Sequence, residues 1–151
     1  NHQLPQLLPS EFITMFLGRW DPETCRLDYA SAGHEPGLLF SPQGEVRELP
    51  ATGLPLGIDP AFDWETAAID IVPCQRLVLT TDGVAESSSP AGELFGRERL
   101  AKAASSCGEV PPQQMVQSIR DDVLRHQQGQ RSADDVTILV LEATVMKRNG
   151  E

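Results

Sequence analysis

The 151-residue chain has little of what marks a disulfide-stapled, zinc-bound, membrane-spanning or nucleic-acid-binding protein. Its three cysteines, Cys25, Cys74 and Cys107, are odd in number, far apart and in no Cys-x-x-Cys pair. That argues against a disulfide framework or a zinc site and makes a reducing, cytoplasmic setting the expectation. His2, His34 and His126 show no ligand spacing, so any metal here would be held by oxygen. No apolar run reaches bilayer length and no signal-peptide pattern opens the chain, which reads as soluble, without membrane contact. Basic residues are also scarce, 12 against 22 acidic, for a formal net charge of -10. A phosphate-backbone binder would carry a basic stripe, so no nucleic-acid partner is expected. No internal repeat or low-complexity segment is evident, and the length suits one domain with a real core.

What is present is a succession of strands, then two helices, then one strand. Phe12 to Trp20 predicts a strand with apolar residues on both faces, as a central strand has. Asp21-Pro22-Glu23-Thr24 is a turn with proline pre-setting its φ, and Arg26 to Ala32 alternates Leu27 and Tyr29 against Asp28. These runs predict a hairpin; Gly37 to Phe40 and Val46 to Leu49 predict a second, the two together forming an antiparallel meander. Thr52 to Pro60, with Gly53, Pro55, Gly57 and Pro60, predicts a loop of defined shape. Ala67 to Ile71 and Gln75 to Thr81 are further strands, with a turn at Pro73-Cys74-Gln75. A helix over Arg97 to Ser106 presents Leu100, Ala101 and Ala104 and stops at Gly108. A second, from Pro111-Pro112 to about Gln127, carries the stripe Met115, Val116, Ile119, Val123 and Leu124. Gln127 to Ala133 is a polar loop, Val136 to Ala143 the last strand, and residues 146–151 a frayed tail. The pattern is α+β: antiparallel β-sheet packed with an antiparallel helix pair.

Two acidic turns stand out. Leu77 to Thr80 ends at Thr81-Asp82-Gly83, and Asp134-Asp135 opens the final apolar run. An up-and-down helix pair returns the chain to the sheet edge it left. If the flanking strands are antiparallel neighbours, Asp82 and Asp134 therefore share an edge, with paired residues roughly 5 Å apart. Carboxylates that close repel unless one is protonated or a cation lies between them, and Mg²⁺ or Mn²⁺ suits such a pair. Either turn alone is weak evidence, since Asp-Gly commonly follows a strand and Asp often caps a turn.

The remaining motifs resemble, in order, those of the metal-dependent protein phosphatases of the PPM (PP2C-like) superfamily, in its bacterial SpoIIE/RsbU branch. Phe12-Ile13-Thr14-Met15-Phe16 with Asp21-Pro22-Glu23-Thr24 is similar to the branch's central hairpin. Tyr29-Ala30-Ser31-Ala32-Gly33-His34-Glu35-Pro36 resembles its Ala-Gly-His-x-Pro segment, and Gly53-Leu54-Pro55-Leu56-Gly57 its Gly-rich loop. Thr81-Asp82-Gly83-Val84-x-Glu86, Phe95-Gly96-x-Glu98-Arg99-Leu100 and Asp134-Asp135-Val136-Thr137 resemble its later signatures. The resemblance implies an αββα sandwich, a two-metal Mn²⁺ or Mg²⁺ site with Asp82 and Asp134 as ligands, and outer-shell roles for Asp135 and Gly83. It implies no side-chain nucleophile: a metal-activated water attacks phosphorus. The implied partner is a phosphorylated regulatory protein of the anti-sigma-factor antagonist type.

The sequence departs from that pattern in lacking the upstream Gly-Asp-x-x-Asp and Asp-x-x-Gly-His segments, which supply the bridging carboxylate. Residues 1–145 are accordingly expected to be the C-terminal portion of a phosphatase domain, inactive or nearly so alone, with open sheet edges that invite dimerisation. The rival expectation is a non-catalytic protein-binding module on the same fold; a calcium-binding structural domain is weaker still, for want of a dense ligand loop. His34 reads as a strand-end imidazole satisfied by backbone rather than a general acid. Glu86 reads as a solvated loop residue, Arg97 and Arg99 as surface ion-pair formers, and Ser87-Ser88-Ser89 as a mobile loop.

Overall fold

A computed structural model of the chain describes residues 11–108 and 110–144. Among the described residues, seven strands and three helices occur in the order β1 (Met15–Asp21), β2 (Arg26–Ala32), β3 (Gly37–Phe40), β4 (Val46–Leu49), β5 (Ala67–Asp70) and β6 (Arg76–Thr80). They continue with α1 (Asp82–Ala85), α2 (Gly96–Ser105), α3 (Pro112–Gln127) and β7 (Ile138–Glu142). The expected tail at 146–151 and the opening Asn1-His2-Gln3-Leu4 lie outside the described residues. The described chain divides into two units, residues 11–36 with 50–72, and residues 37–49 with 73–144.

The first unit is a three-stranded antiparallel sheet in the order β1-β2-β5. The β1–β2 hairpin closes through Asp21, whose Oδ1 accepts the Glu23 amide at 2.9 Å, and Cys25 takes a left-handed φ of 53°. Its central strand is β2, not β1. Among the described residues β1 lies at the edge, with Leu17 65% exposed, which corrects the expectation from its two-sided apolar pattern. That pattern reports hydrophobicity on both faces but not which neighbours pair. The Gly/Pro-rich loop does have a defined shape. The Thr52 and Gly53 amides donate to the Ser31 carbonyl, Gly33 donates to the Gly53 carbonyl, and Trp64 Nε1 donates to the Leu54 carbonyl at 2.7 Å. A Cβ on Gly53 would sit 2.4 Å from the Phe62 ring, so only glycine fits this turn.

In the second unit the antiparallel order is β4-β3-β6-β7. The expected meander is therefore wrong. β3 pairs with β4 and β6, never with β2, and the chain changes sheet at Gly33-His34-Glu35-Pro36. Positive φ at Gly33 and the proline at 36 end the pairing there. The turn at Pro73-Cys74 likewise leads from β5 into the other sheet rather than closing a hairpin. Strand β6 joins β7 from Arg76↔Glu142 to Thr80↔Ile138. At its start, the Arg76 guanidinium donates to Glu142 Oε2 and to the Gly108 carbonyl, both at 2.6 Å, tying two strands to the end of the α2 segment.

One face of this sheet carries the helix pair. Leu38, Phe40 and Val78 pack with Val84, Phe95, Leu100, Ala103, Ala104, Met115, Ile119 and Val123 in a single buried cluster. Pro112 begins α3 where its missing N–H costs nothing, and Gln128, in the left-handed region at φ 49°, ends it. The helical periodicity holds for Met115, Ile119 and Val123, each worth roughly 1.5–3 kcal/mol of burial. It overreaches at Leu124, which is 49% exposed, and it missed Ala103 on α2.

Two outcomes follow from this packing and from the hairpin's charges. Ile119→Ala, at a site with 0% exposure, should cost about 2–5 kcal/mol in urea unfolding, and Leu124→Ala about 0.5 kcal/mol or less. On the exposed face of the hairpin, Asp28 accepts from Arg26 Nε at 2.8 Å and from a terminal Arg19 nitrogen at 2.7 Å. Those bonds, Arg26's first, hold its carboxyl below the ordinary 3.8. A lowered folded-state pKa gives stability that is present above the unfolded value and lost as pH falls through the folded one. Wild-type protein should thus be the more stable of the pair with Asp28→Asn at neutral pH, the gap closing below about pH 4 in melts across a pH series.

Candidate metal centre

The ladder between β6 and β7 puts the two acidic turns at one end of one sheet. Beyond Thr80↔Ile138 the strands part, and Thr81 holds the parting chains together. Its amide donates to the Thr137 carbonyl at 3.2 Å, its hydroxyl donates to the Asp135 carbonyl at 2.9 Å, and that hydroxyl oxygen accepts the Thr137 amide at 2.9 Å. Asp82 then opens α1, a single turn anchored by the fully buried Val84.

Between the turns lies Gly83, buried against the second one. A Cβ there would meet the Asp135 carbonyl oxygen at 2.4 Å and the Asp134 carbonyl oxygen at 3.3 Å. Only a residue without a side chain lets the backbones approach so closely. Each carboxylate is partly oriented already: Asp82 Oδ1 accepts the Gly83 amide at 2.9 Å, and Asp134 Oδ1 accepts the Asp135 amide at 2.7 Å. All three aspartates are exposed, and among the described residues none forms an ion pair with Lys or Arg. Hard oxygen donors on rigid strand ends, with no basic partner, are suited to a small divalent cation. The described residues contain no group of three or more His, Cys, Asp or Glu placed to hold a metal, so the pair would supply part of a coordination shell.

Other residues singled out in the sequence do not join them. His34 belongs to the first unit, where its Nδ1–H donates to the Glu35 carbonyl at 2.9 Å and its ring meets Phe16 edge-on. Glu86 is exposed at the end of α1, and Arg99 bonds the Leu94 and Phe95 carbonyls with a 3.3 Å pair to Glu93. The serine run, expected to be a mobile loop, is buried at Ser87 and Ser89. Ser87 is 1% exposed, its Oγ donates to the Gly83 carbonyl at 2.7 Å, and its carbonyl accepts the Phe95 amide. Gln127, read only as the start of a polar loop, is 3% exposed and donates to the hydroxyls of Ser87 and Ser132. Its signal was present in the sequence, since 115, 119, 123 and 127 are successive steps of four along one helix face.

The family model described as Stage II sporulation protein E (SpoIIE) matches residues 1–144. The chain belongs to that family. This SpoIIE-family chain is 36% identical over 137 residues to the phosphoserine phosphatase RsbU of Bacillus subtilis, an alignment covering 90% of the chain and 40% of RsbU. Among solved structures it superposes on the SiaA-PP2C domain of Pseudomonas aeruginosa with a TM-score of 0.79 at 19% identity, covering 92% of this chain and 55% of that one. It also matches the Mn-presoaked phosphatase domain of Bacillus subtilis SpoIIE with a TM-score of 0.68 at 18% identity, covering 87% and 56%. The fold class is thus the expected one, α+β of the PP2C type. The chain spans well under half of RsbU and little more than half of either solved domain.

Because the Gly83 contact is with backbone and not with a flexible side chain, Gly83→Ala should force the turns apart. The expected result is a loss of about 1–3 kcal/mol in stability, with amide NMR shifts confined mainly to 81–87 and 132–137. A wild-type melting curve with unmoved resonances would contradict the contact.

Proposed function

We propose that the chain is the metal-binding C-terminal portion, residues 1–145, of a protein serine/threonine phosphatase domain, acting in the cytoplasm on phosphoserine or phosphothreonine of a regulatory protein. The observation that carries this reading is the Gly83 contact with the Asp134–Asp135 backbone, which joins two acidic turns in a chain of the SpoIIE family. The kinship to a phosphoserine phosphatase supports the reaction class. The family resemblance of the turn motifs supports an anti-sigma-factor antagonist as substrate.

In this reading Asp82 and Asp134 are ligands for Mn²⁺ or Mg²⁺, while Asp135 and Gly83 act from the outer shell. The Gly83 and Asp135 amides each fix one carboxylate oxygen, which orients the other before any cation arrives and lowers the cost of organising the site. Thr81 sets the spacing by bonding the second turn through both its backbone and its hydroxyl. When bound, the cations would supply Lewis-acid neutralisation of phosphoryl oxygens and a water acidified enough to attack phosphorus. No side chain of this chain is assigned as nucleophile. The two-metal shell is completed by residues outside this chain.

The test is p-nitrophenyl phosphate hydrolysis with Mn²⁺, on this chain alone and on the protein read from its complete reading frame. The complete protein should turn over and this chain should not, and Asp82→Ala or Asp134→Ala should each lower turnover by roughly 100-fold or more. A complete protein that binds no Mn²⁺ and stays silent would favour the second reading, a protein-binding module. The want of a third described ligand is the observation on that module's side.

A further inference from the structure

Gln127 occupies a position that the fold would fill more simply with an apolar residue. It continues the Met115, Ile119, Val123 stripe of α3 by one more step of four, and like them it is buried. A buried amide costs stability unless its hydrogen bonds are made, and here they are made in one direction only. The Gln127 amide nitrogen donates to Ser87 Oγ at 3.2 Å and to Ser132 Oγ at 2.6 Å. Ser87 has a single hydroxyl hydrogen, directed to the Gly83 carbonyl at 2.7 Å. Ser87 must therefore accept from Gln127, and a carboxylate at 127 would reverse the chain and strip Gly83 of its donor.

These bonds reach both acidic turns from one side chain. Through Ser87 they end at Gly83, the residue after Asp82. Through Ser132 they end two residues before Asp134. We propose that Gln127 is a positioning residue, a latch on the helix end that holds the two carboxylate-bearing turns in register for a divalent cation. The inference rests on the phosphatase reading for the metal and on hydrogen-bond geometry alone for the latch. It makes the C-terminus of α3 the element whose displacement would loosen both ligands together. A purely structural role predicts lower stability with unchanged Mn²⁺ affinity, because removing Gln127 alone leaves the Ser87 and Ser132 oxygens without their donor.

The experiment uses the complete protein and reads Mn²⁺ binding by electron paramagnetic resonance titration, alongside amide hydrogen exchange in the 81–88 and 131–137 segments. Gln127→Met should weaken Mn²⁺ binding by about 10-fold or more, and both segments should lose protection. The Mn²⁺ concentration for half-maximal hydrolysis should rise by a larger factor than kcat falls. Ser87→Ala and Ser132→Ala should each loosen chiefly its own segment, and the Ser87→Ala effect should largely vanish in the Gln127→Met background. Wild-type Mn²⁺ affinity and wild-type exchange in a folded Gln127→Met protein would overturn the proposal. If that variant fails to fold, unchanged exchange in both serine variants would overturn it equally. A wild-type protein that binds no Mn²⁺ would defeat the phosphatase reading and the metal part of this one. Joint loss of protection in Gln127→Met would still establish the latch.

Discussion

The pairing of β6 with β7 is the constraint on which the second unit depends. The two strands are joined residue by residue, yet Thr80 and its partner Ile138 are separated by the whole of α1, α2 and α3. Closing so long a loop costs chain entropy that the ladder's few hydrogen bonds cannot offset. The offset comes from the helix pair, whose Leu100, Met115, Ile119 and Val123 bury themselves with Val78 of β6, Ile138 and Val140 of β7 packing against them. Sheet and helices are therefore one cooperative structure, and the acidic end of the sheet exists only when all of it is folded.

That end of the sheet is acidic. Three aspartates lie on two touching turns, and among the described residues no Lys or Arg pairs with any of them. Elsewhere the same chain does compensate acidic groups: Arg19 and Arg26 flank Asp28, and Arg76 meets Glu142. The contrast separates carboxylates that fasten structure from carboxylates that no basic side chain compensates. The uncompensated ones are held by the close approach at Gly83, by Thr81 through its amide and its hydroxyl, and by two backbone amides.

Local chemistry was the legible part of the sequence. The Asp21 turn, the Gly53 loop, the Pro112 start of α3 and the β6–β7 convergence all follow from residue types whose conformational reasons are short-range, or from a simple return of the chain. Partner choice was not legible. β1 has the apolar residues of a central strand but β2 takes the centre, and β3 looks like the next turn of a meander but pairs with β6. Alternation specifies which face of a strand is buried, not which strand lies beside it. At the site, the acidic turns could be read because Asp and Gly are conspicuous there. Ser87 could not, since a polar letter next to a loop looks solvated until the packing shows it to be buried, and the helical spacing that places Gln127 on the buried face does not show its bonds to Ser87 and Ser132.

The distance in sequence between β6 and β7 also has a consequence for biosynthesis. A chain emerges from the ribosome N-terminus first, and contacts between distant segments form late because the intervening loop must be organised before they are rewarded. Asp82 is synthesised, with its strand, well before Asp134 and the ladder that brings the two turns together. Until β7 has left the exit tunnel there is no shared edge, and the two acidic turns of the nascent chain stay apart.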